Sequence, residues 1–447
     1  MNNNDPKATQ KSSPTWTPVS TLLAALGLTL AHQNAFALPV GANMAISMKP
    51  ASGGMSGAAF TMPQEVSAAV FGNPATLTQF SGMQFGMGAA ILKIDLENTQ
   101  TGAGGTNVSG SVADDYVIPD FAFSNQIGES WVIGAGVQVG AGLGADFRDD
   151  PVRVGALPGT ELPFNSELLS FNANVSVAKQ ITPSISIGAA ATVGFGLLQI
   201  GTVGQSGPDI PTGPFGGTTA SVHDIGARFS LGITQQVSET IVVSAVYKSK
   251  LKYEFEDVTY TTVAPEGFQT LTVEQPAEYV LGAAMNLSPS WLIEIDIQRN
   301  LWGNASTYKD IYEDQTIFML GTQYKLGDWS FRLGYSYQSD QFRDEPNDSL
   351  NSLHGLGSIP LPFIGNDLIK IVQTASAPIV GADSVSLGIG YDITSSARID
   401  AFGAYSFEES LTRNTPNADA ALGLPVSSSY RADVVIWAVG MGVNFKF

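Results

Sequence analysis

Residues 434–447 alternate strictly: Val435, Trp437, Val439, Met441, Val443, Phe445 and Phe447 share one face, Ile436, Ala438, Gly440, Gly442, Asn444 and Lys446 the other. Successive side chains of an extended strand point to opposite sides, so this segment reads as a strand with one wholly apolar face. About fourteen such segments follow residue 80, from 82–96 to 430–447, and they include 241–253 and 272–286. Most reach the roughly 9–11 residues that a tilted strand needs to cross a hydrocarbon layer. In 291–299 the isoleucines 293, 295 and 297 oppose Glu294, Asp296 and Gln298; a helix would scatter those charges, whereas a barrel gathers them inside. Short connections at 127–130, 180–184, 235–240, 287–290, 326–328 and 392–397 carry turn residues and alternate with long ones, the longest being 340–382. The fold expected is all-β and membrane-embedded: an antiparallel transmembrane β-barrel of about fourteen strands, with short turns on the periplasmic side and long loops outside.

The first 80 residues lack this period. An apolar run at 19–31 follows Lys7 and Lys11 and precedes Ala35-Phe36-Ala37, the three parts of a secretory signal peptide, so 1–37 is expected to be removed. Residues 38–80 are rich in Gly, Ala, Ser and Met. Thr61, Pro63 and Gln64 form a candidate capping box opening a short helix that Gly72-Asn73-Pro74 stops. Such a segment ahead of a barrel (81–447) is expected to plug the lumen as a small helical hatch. Asp367–Gln373, inside the longest loop, has the spacing of a short amphipathic helix.

Composition narrows the function. The chain has no cysteine, so stability must come from closed hydrogen bonding rather than disulfides. A net charge of −19 argues against nucleic acid as a partner. No cluster with metal-ligand spacing and no cofactor motif is visible. After signal removal only His223 and His354 remain, and neither sits by a nucleophile elbow, which argues against a barrel hydrolase. The expected partners of such a barrel are outer-membrane lipids and lipopolysaccharide, with no reason to need an oligomer.

The stretch 51–59, Ala-Ser-Gly-Gly-Met-Ser-Gly-Ala-Ala, followed by 68–80 with Asn73-Pro74-Ala75, resembles the hatch of the FadL-type outer-membrane transporters of long-chain fatty acids and hydrocarbons. That resemblance implies a plugged passive conduit in the bacterial outer membrane. It also makes the terminal aromatic strand similar to the signal read by the barrel-assembly machinery. In such transporters the third strand is kinked, opening the wall sideways; Gly140, Gly142 and Gly144 are the matching residues, and glycines weaken strand pairing and permit bulges. Fatty-acid-binding members carry a basic residue near the end of the fifth strand, whereas 193–200 holds none, which tilts toward an uncharged lipophile. Arg228 and Arg332, on inward faces, are the candidate anion partners; their plainer role is to pair with Glu294, Asp296 or Asp400. Ile317, Met319, Phe402 and Ile436 fall in the inward register and are candidate ligand contacts. A porin for polar solutes is the alternative.

Overall fold

Fourteen antiparallel strands close on themselves, so that every strand of the wall has a neighbour on both sides. The computed structural model describes residues 47–158, 161–201, 217–218, 221–261, 267–306, 308–346, 365–375, 382–421 and 424–447. The wall runs β1 (Met83–Gly102), β2 (Asp115–Ile127), β3 (Trp131–Asp146), β4 (Asn165–Thr182), β5 (Ile185–Gly201), β6 (Val222–Gln236) and β7 (Ile241–Lys248). It continues through β8 (Glu278–Ser288), β9 (Trp291–Asn300), β10 (Gln315–Leu326), β11 (Trp329–Gln338), β12 (Asp383–Thr394), β13 (Ala397–Asn414) and β14 (Ser429–Lys446). Consecutive strands are neighbours, and β14 seals the barrel against β1, from Gln84↔Lys446 to Thr101↔Ser429. Closure leaves no strand of the wall without a neighbour, the condition for a sheet to sit in lipid.

The faces follow the period. On β14, Trp437, Val439 and Met441 are exposed while Ile436, Ala438 and Gly442 are buried. Trp131, Trp291 and Trp329 each begin a strand directly after a short turn, and Tyr335, Tyr337, Tyr405 and Phe407 stand near the other rim. Exposed aromatics at both ends of an apolar band are the girdles of a membrane barrel.

Two of the expected segments each divide. The wall part of 241–253 stops at Lys248, and Leu251–Thr261 leaves to pair with Gly267–Gln275 in a separate hairpin. Likewise 272–286 is the end of that hairpin plus the start of β8. The hairpin folds inward: Tyr253 and Phe255 are fully buried, and a side chain on Gly196 of β5 would meet both. Alternation runs unbroken through it because the hairpin also has one buried face, so periodicity alone does not separate it from the wall. At its end, Glu274 accepts from the backbone N–H of Ser306 and faces Lys250 Nζ at 3.1 Å. Burial would raise its carboxyl, but these donors hold it below the usual carboxylate range. A carboxyl with a lowered folded value contributes stability above its unfolded value and loses it as pH falls through the folded one. Protease cleavage of the 251–275 hairpin in intact cells is therefore expected to rise on acidification below the carboxylate range, and less so in Glu274→Gln.

Candidate functional site

Inside the wall, residues 47–80 fold as a tight 3₁₀ turn (Ser52–Met55), a short helix α1 (Val66–Phe71) and a second 3₁₀ turn (Pro74–Gln79). The helix starts at Val66, capped by no side chain, rather than after Thr61 as the capping-box pattern predicted. Thr61 is drawn away by the wall: its N–H donates to Glu294 Oε1 at 2.7 Å, and its hydroxyl lies 2.8 Å from Ser244 Oγ. Met62 N–H donates to the same carboxylate at 3.1 Å, and Phe60 N–H to Asp296 Oδ2 at 3.2 Å. Two adjacent inward carboxylates of β9 thus hold three consecutive hatch amides. Within the hatch, Glu65 accepts from Ala51 N and Ser52 N at 3.0 and 2.8 Å. Asn73 accepts from Ala75 N at 3.1 Å and donates to Phe60 O at 2.8 Å. Inner-face glycines let the backbones meet: a Cβ on Gly388 would fall 2.8 Å from Gly54 Cα, and one on Gly334 would strike the Met55–Ser56 peptide.

The third strand breaks its pairing where the glycines begin. β2 and β3 are paired from Ile127↔Trp131 only as far as Asp120↔Gln138. Against β4, the register of β3 slips between Val139 and Ala141, which makes Gly140 the extra residue of a bulge. A one-residue insertion exchanges the two faces beyond it; Ala141 and Ala145 then oppose the inward Ser170 and Ser166, while Gly142 and Gly144 pair with Leu169 and Glu167. The next contact between the two sides is Val112 N–H to Asp146 O at 2.9 Å. Between that bond and the Asp120↔Gln138 pair, the edges 115–119 and 139–145 face each other without ladder hydrogen bonds among the described residues: a window in the outer half of the wall. Pro119 lies on its sill. Gln126 N–H donates to Gly82 O, just before β1, and Ile94 N–H to Asp114 O, so even residues of β2 face β1 and Pro119 faces β3, where it has no N–H to offer. A proline inside an alternating segment was the sequence signal for this edge.

The hatch is docked at the same sill. Lys49 Nζ donates to Gln138 Oε1 at 2.8 Å, lies 3.8 Å from Asp120 and stands 4.7 Å from the Phe71 ring centroid. The side chains of Lys49 and Asp120 are almost wholly buried. Breaking one half of a buried pair costs about 3–5 kcal/mol, so Lys49→Met is expected to lower the unfolding midpoint of the purified barrel measurably, and Asp120→Asn in the same chain to restore part of it.

Beyond the sill, a small pocket of about 50 Å³ runs from the bulge at Gly140 and Ala141, past Phe71 and Leu168, to Arg228, Lys248 and Glu278. Its roof is aromatic, with Trp302 set edge-on to Tyr308 at 5.0 Å between centroids. A large apolar cluster of wall and loop residues, among them Leu92, Ile94, Tyr116, Leu198, Phe255 and Ile436, fills the outer half of the lumen. The architecture is a plugged barrel with a greasy upper lumen and an unpaired stretch of wall between β2 and β3.

The family described as outer membrane protein transport protein (OMPP1/FadL/TodX) matches residues 29–350. The chain belongs to this family. Outer membrane protein P1 of Haemophilus influenzae is 22% identical over 90% of this chain and 98% of that protein. Among solved structures, the P. putida toluene transporter TodX superposes with a TM-score of 0.63 at 19% identity, covering 90% of this chain and 99% of that one. A Pseudomonas aeruginosa FadL homologue gives 0.68 at 14% identity, covering 93% and 100%. This FadL-type chain is accordingly a protein of the bacterial outer membrane.

Within this FadL-type barrel the expected site residues separate into groups. Asn73, Pro74 and Ala75 lie at the centre of the hatch, with Asn73 beside Gly232 and the Pro74–Ala75 peptide beside Gly188. Gly140 borders the cavity. Ile317 and Met319 face inward but pack on the hatch, in one cluster with Met55 and Phe60; Phe402 lies over Gly53, and Ile436 joins the upper apolar cluster. None of these four is among the residues lining the cavity. Arg332, wholly buried, donates to Asp400 Oδ1 at 2.9 Å and to Gln323 Oε1 at 2.8 Å, the structural pairing weighed for it. Glu294 and Asp296, the other acceptors considered, serve the hatch instead. Arg228 lines the cavity and donates to Glu278 Oε1 at 2.9 Å. His223 is exposed on the outer face beside Phe195, opposite to the inward Asp224; His354 and the leader 1–37 lie outside the described residues. Helix α2 (Gly365–Ala375) forms where the loop spacing placed it, and buries Ile369 and Ile371. Lys49, Gln138, Lys248 and Trp302 were not singled out from sequence; a lone lysine in an otherwise small and apolar hatch was the one available signal.

Proposed function

We propose that this barrel takes up lipophilic compounds by passive diffusion, receiving them at the outer mouth and releasing them sideways through the β2–β3 window into the bilayer. The observation that carries the proposal is the position of the cavity: it abuts the Gly140 bulge, while the hatch occupies the axial path below. Family membership supports it, as does similarity to a toluene transporter and to a monoaromatic hydrocarbon channel. Apolar burial at about 25 cal/mol per Å² supplies the affinity, and the solute gradient supplies the direction. No chemical conversion of the solute is part of the proposal. The test is uptake by a deletion strain across fatty acids, alkanes and aromatics, with rescue by the wild-type gene. Restored uptake of at least one lipophile is the expected result. A large ohmic single-channel current from the purified protein would instead favour the porin alternative.

A further inference from the structure

The outward face of the wall is unevenly charged at its outer rim. On β1, Lys93 meets both Asp114 and Asp115, at 2.8 and 3.3 Å. On β14, Arg431 meets Asp433, whose cross-strand partner is the exposed Glu97. Those cations are outweighed by carboxylates. Arg299 of β9 is different: among the described residues its one carboxylate contact is Asp314 at 3.4 Å, and its Nη1 donates to Thr316 Oγ1 at 2.7 Å. Tyr247 of β7, Tyr279 of β8 and Arg299 are successive cross-strand partners. The two tyrosine rings lie 5.0 Å apart, with Phe229 5.8 Å from Tyr247. Exposed aromatics mark the level where hydrocarbon gives way to head groups, so Arg299 stands at that level, above the exposed Leu281 and Ile297.

At the outer end of β9, a hollow of about 520 Å³ is lined by Arg299, Gly303, Asn304, Glu313, Asp314 and Arg343. Arg343 is fixed through Nε, which donates to Lys309 O and Tyr312 O at 3.0 Å each; its Nη amines meet no acceptor among the described residues. Asp314 is already engaged, by Arg299 and by Gly303 N–H at 2.9 Å. Two guanidinium groups suit the oxygens of a phosphate. The Glu313 carboxylate and the Asn304 amide beside them offer acceptors for hydroxyl groups. Such a mixture fits a phosphorylated sugar better than a bare anion, and the apolar strip below it fits acyl chains. We propose that this outer face, from the Arg299–Arg343 hollow down over Tyr279, Leu281 and Ile297, docks the lipid A end of lipopolysaccharide. The acidic rim around Lys93 and Arg431 repels the same phosphates, which confines docking to the β7–β9 side. The site lies outside the barrel and is independent of what passes through the lumen.

Lipid A, dephosphorylated lipid A and phosphatidylglycerol are to be titrated into the purified full-length barrel in detergent, with the bound fraction read by native mass spectrometry. Lipid A is expected to bind roughly three- to tenfold more tightly than its dephosphorylated form, and more tightly than phosphatidylglycerol, which lacks the sugars. Arg299→Gln combined with Arg343→Gln is expected to abolish the preference for phosphate, whereas Arg431→Gln leaves it intact. A heat-resistant folded band for each variant on a gel excludes misfolding as the cause. Equal binding of the two lipid A forms, or a preference that survives in the double arginine variant, would overturn the proposal. Phosphatidylglycerol bound as tightly as lipid A would overturn the glycolipid assignment.

Discussion

Replacing both Glu294 and Asp296 by alanine is expected to release the hatch. In the wild type these carboxylates accept from the backbone N–H groups of Phe60, Thr61 and Met62, the first two in a buried contact between hatch and wall. Removing the acceptors strands two buried amides, Phe60 and Thr61, at about 1–3 kcal/mol each, and frees the half-buried Met62 amide as well. The wall loses less, because its ladder hydrogen bonds are backbone bonds: Glu294↔Gly321 and Asp296↔Met319 pair irrespective of side chain. The heat-resistant folded band on a gel should persist while planar-bilayer recordings change from a closed baseline to frequent openings. Limited proteolysis should at the same time cut within 47–80. A double variant as silent as the wild type would mean that the glycine contacts at Gly334 and Gly388 hold the hatch unaided.

Deleting Gly140 is expected to shut the side window. Val139 already opposes Phe171, and Ala141 opposes its chain neighbour Ser170, so excising the intervening residue leaves both pairings intact and straightens β3. Continuing the Asp120↔Gln138 register then lays the upper part of β3 along 115–119 of β2. Pro119→Val, made in the same chain, supplies the N–H that this edge lacks. Uptake should fall to that of cells without the barrel, while the barrel itself still folds and inserts. Undiminished uptake would place the exit elsewhere, the nearest alternative being the polar periplasmic vestibule lined by Gln64, Glu65, Asp392 and Arg398.

The wall was legible residue by residue because its information is local. A period of two, repeated between turn signals, fixes a strand and its lipid face wherever it occurs, and fourteen repetitions with alternating connection lengths leave a closed antiparallel barrel. The end of the hatch helix at Gly72-Asn73-Pro74 and the weakness at Gly140 were legible for the same reason: proline and glycine act on their own backbone. Local information also set the limit. The infolded hairpin 251–275 kept the period of the wall, and the face of Gly142 and Gly144 depended on a bulge that composition permits without requiring.

By itself, then, the sequence determined a plugged outer-membrane barrel, its strands and its lipid face. Only the tertiary structure decided which inward groups meet. Thr61 finds Glu294 across 233 residues and Lys49 finds Gln138 across 89; Arg228, Gln275 and Trp302 come from three separate segments to leave their donors around one cavity. Alternation states that a side chain points inward. Closure of the ring, the shear between its strands and the path of the hatch state what it faces there, and those are properties of the whole wall rather than of any segment.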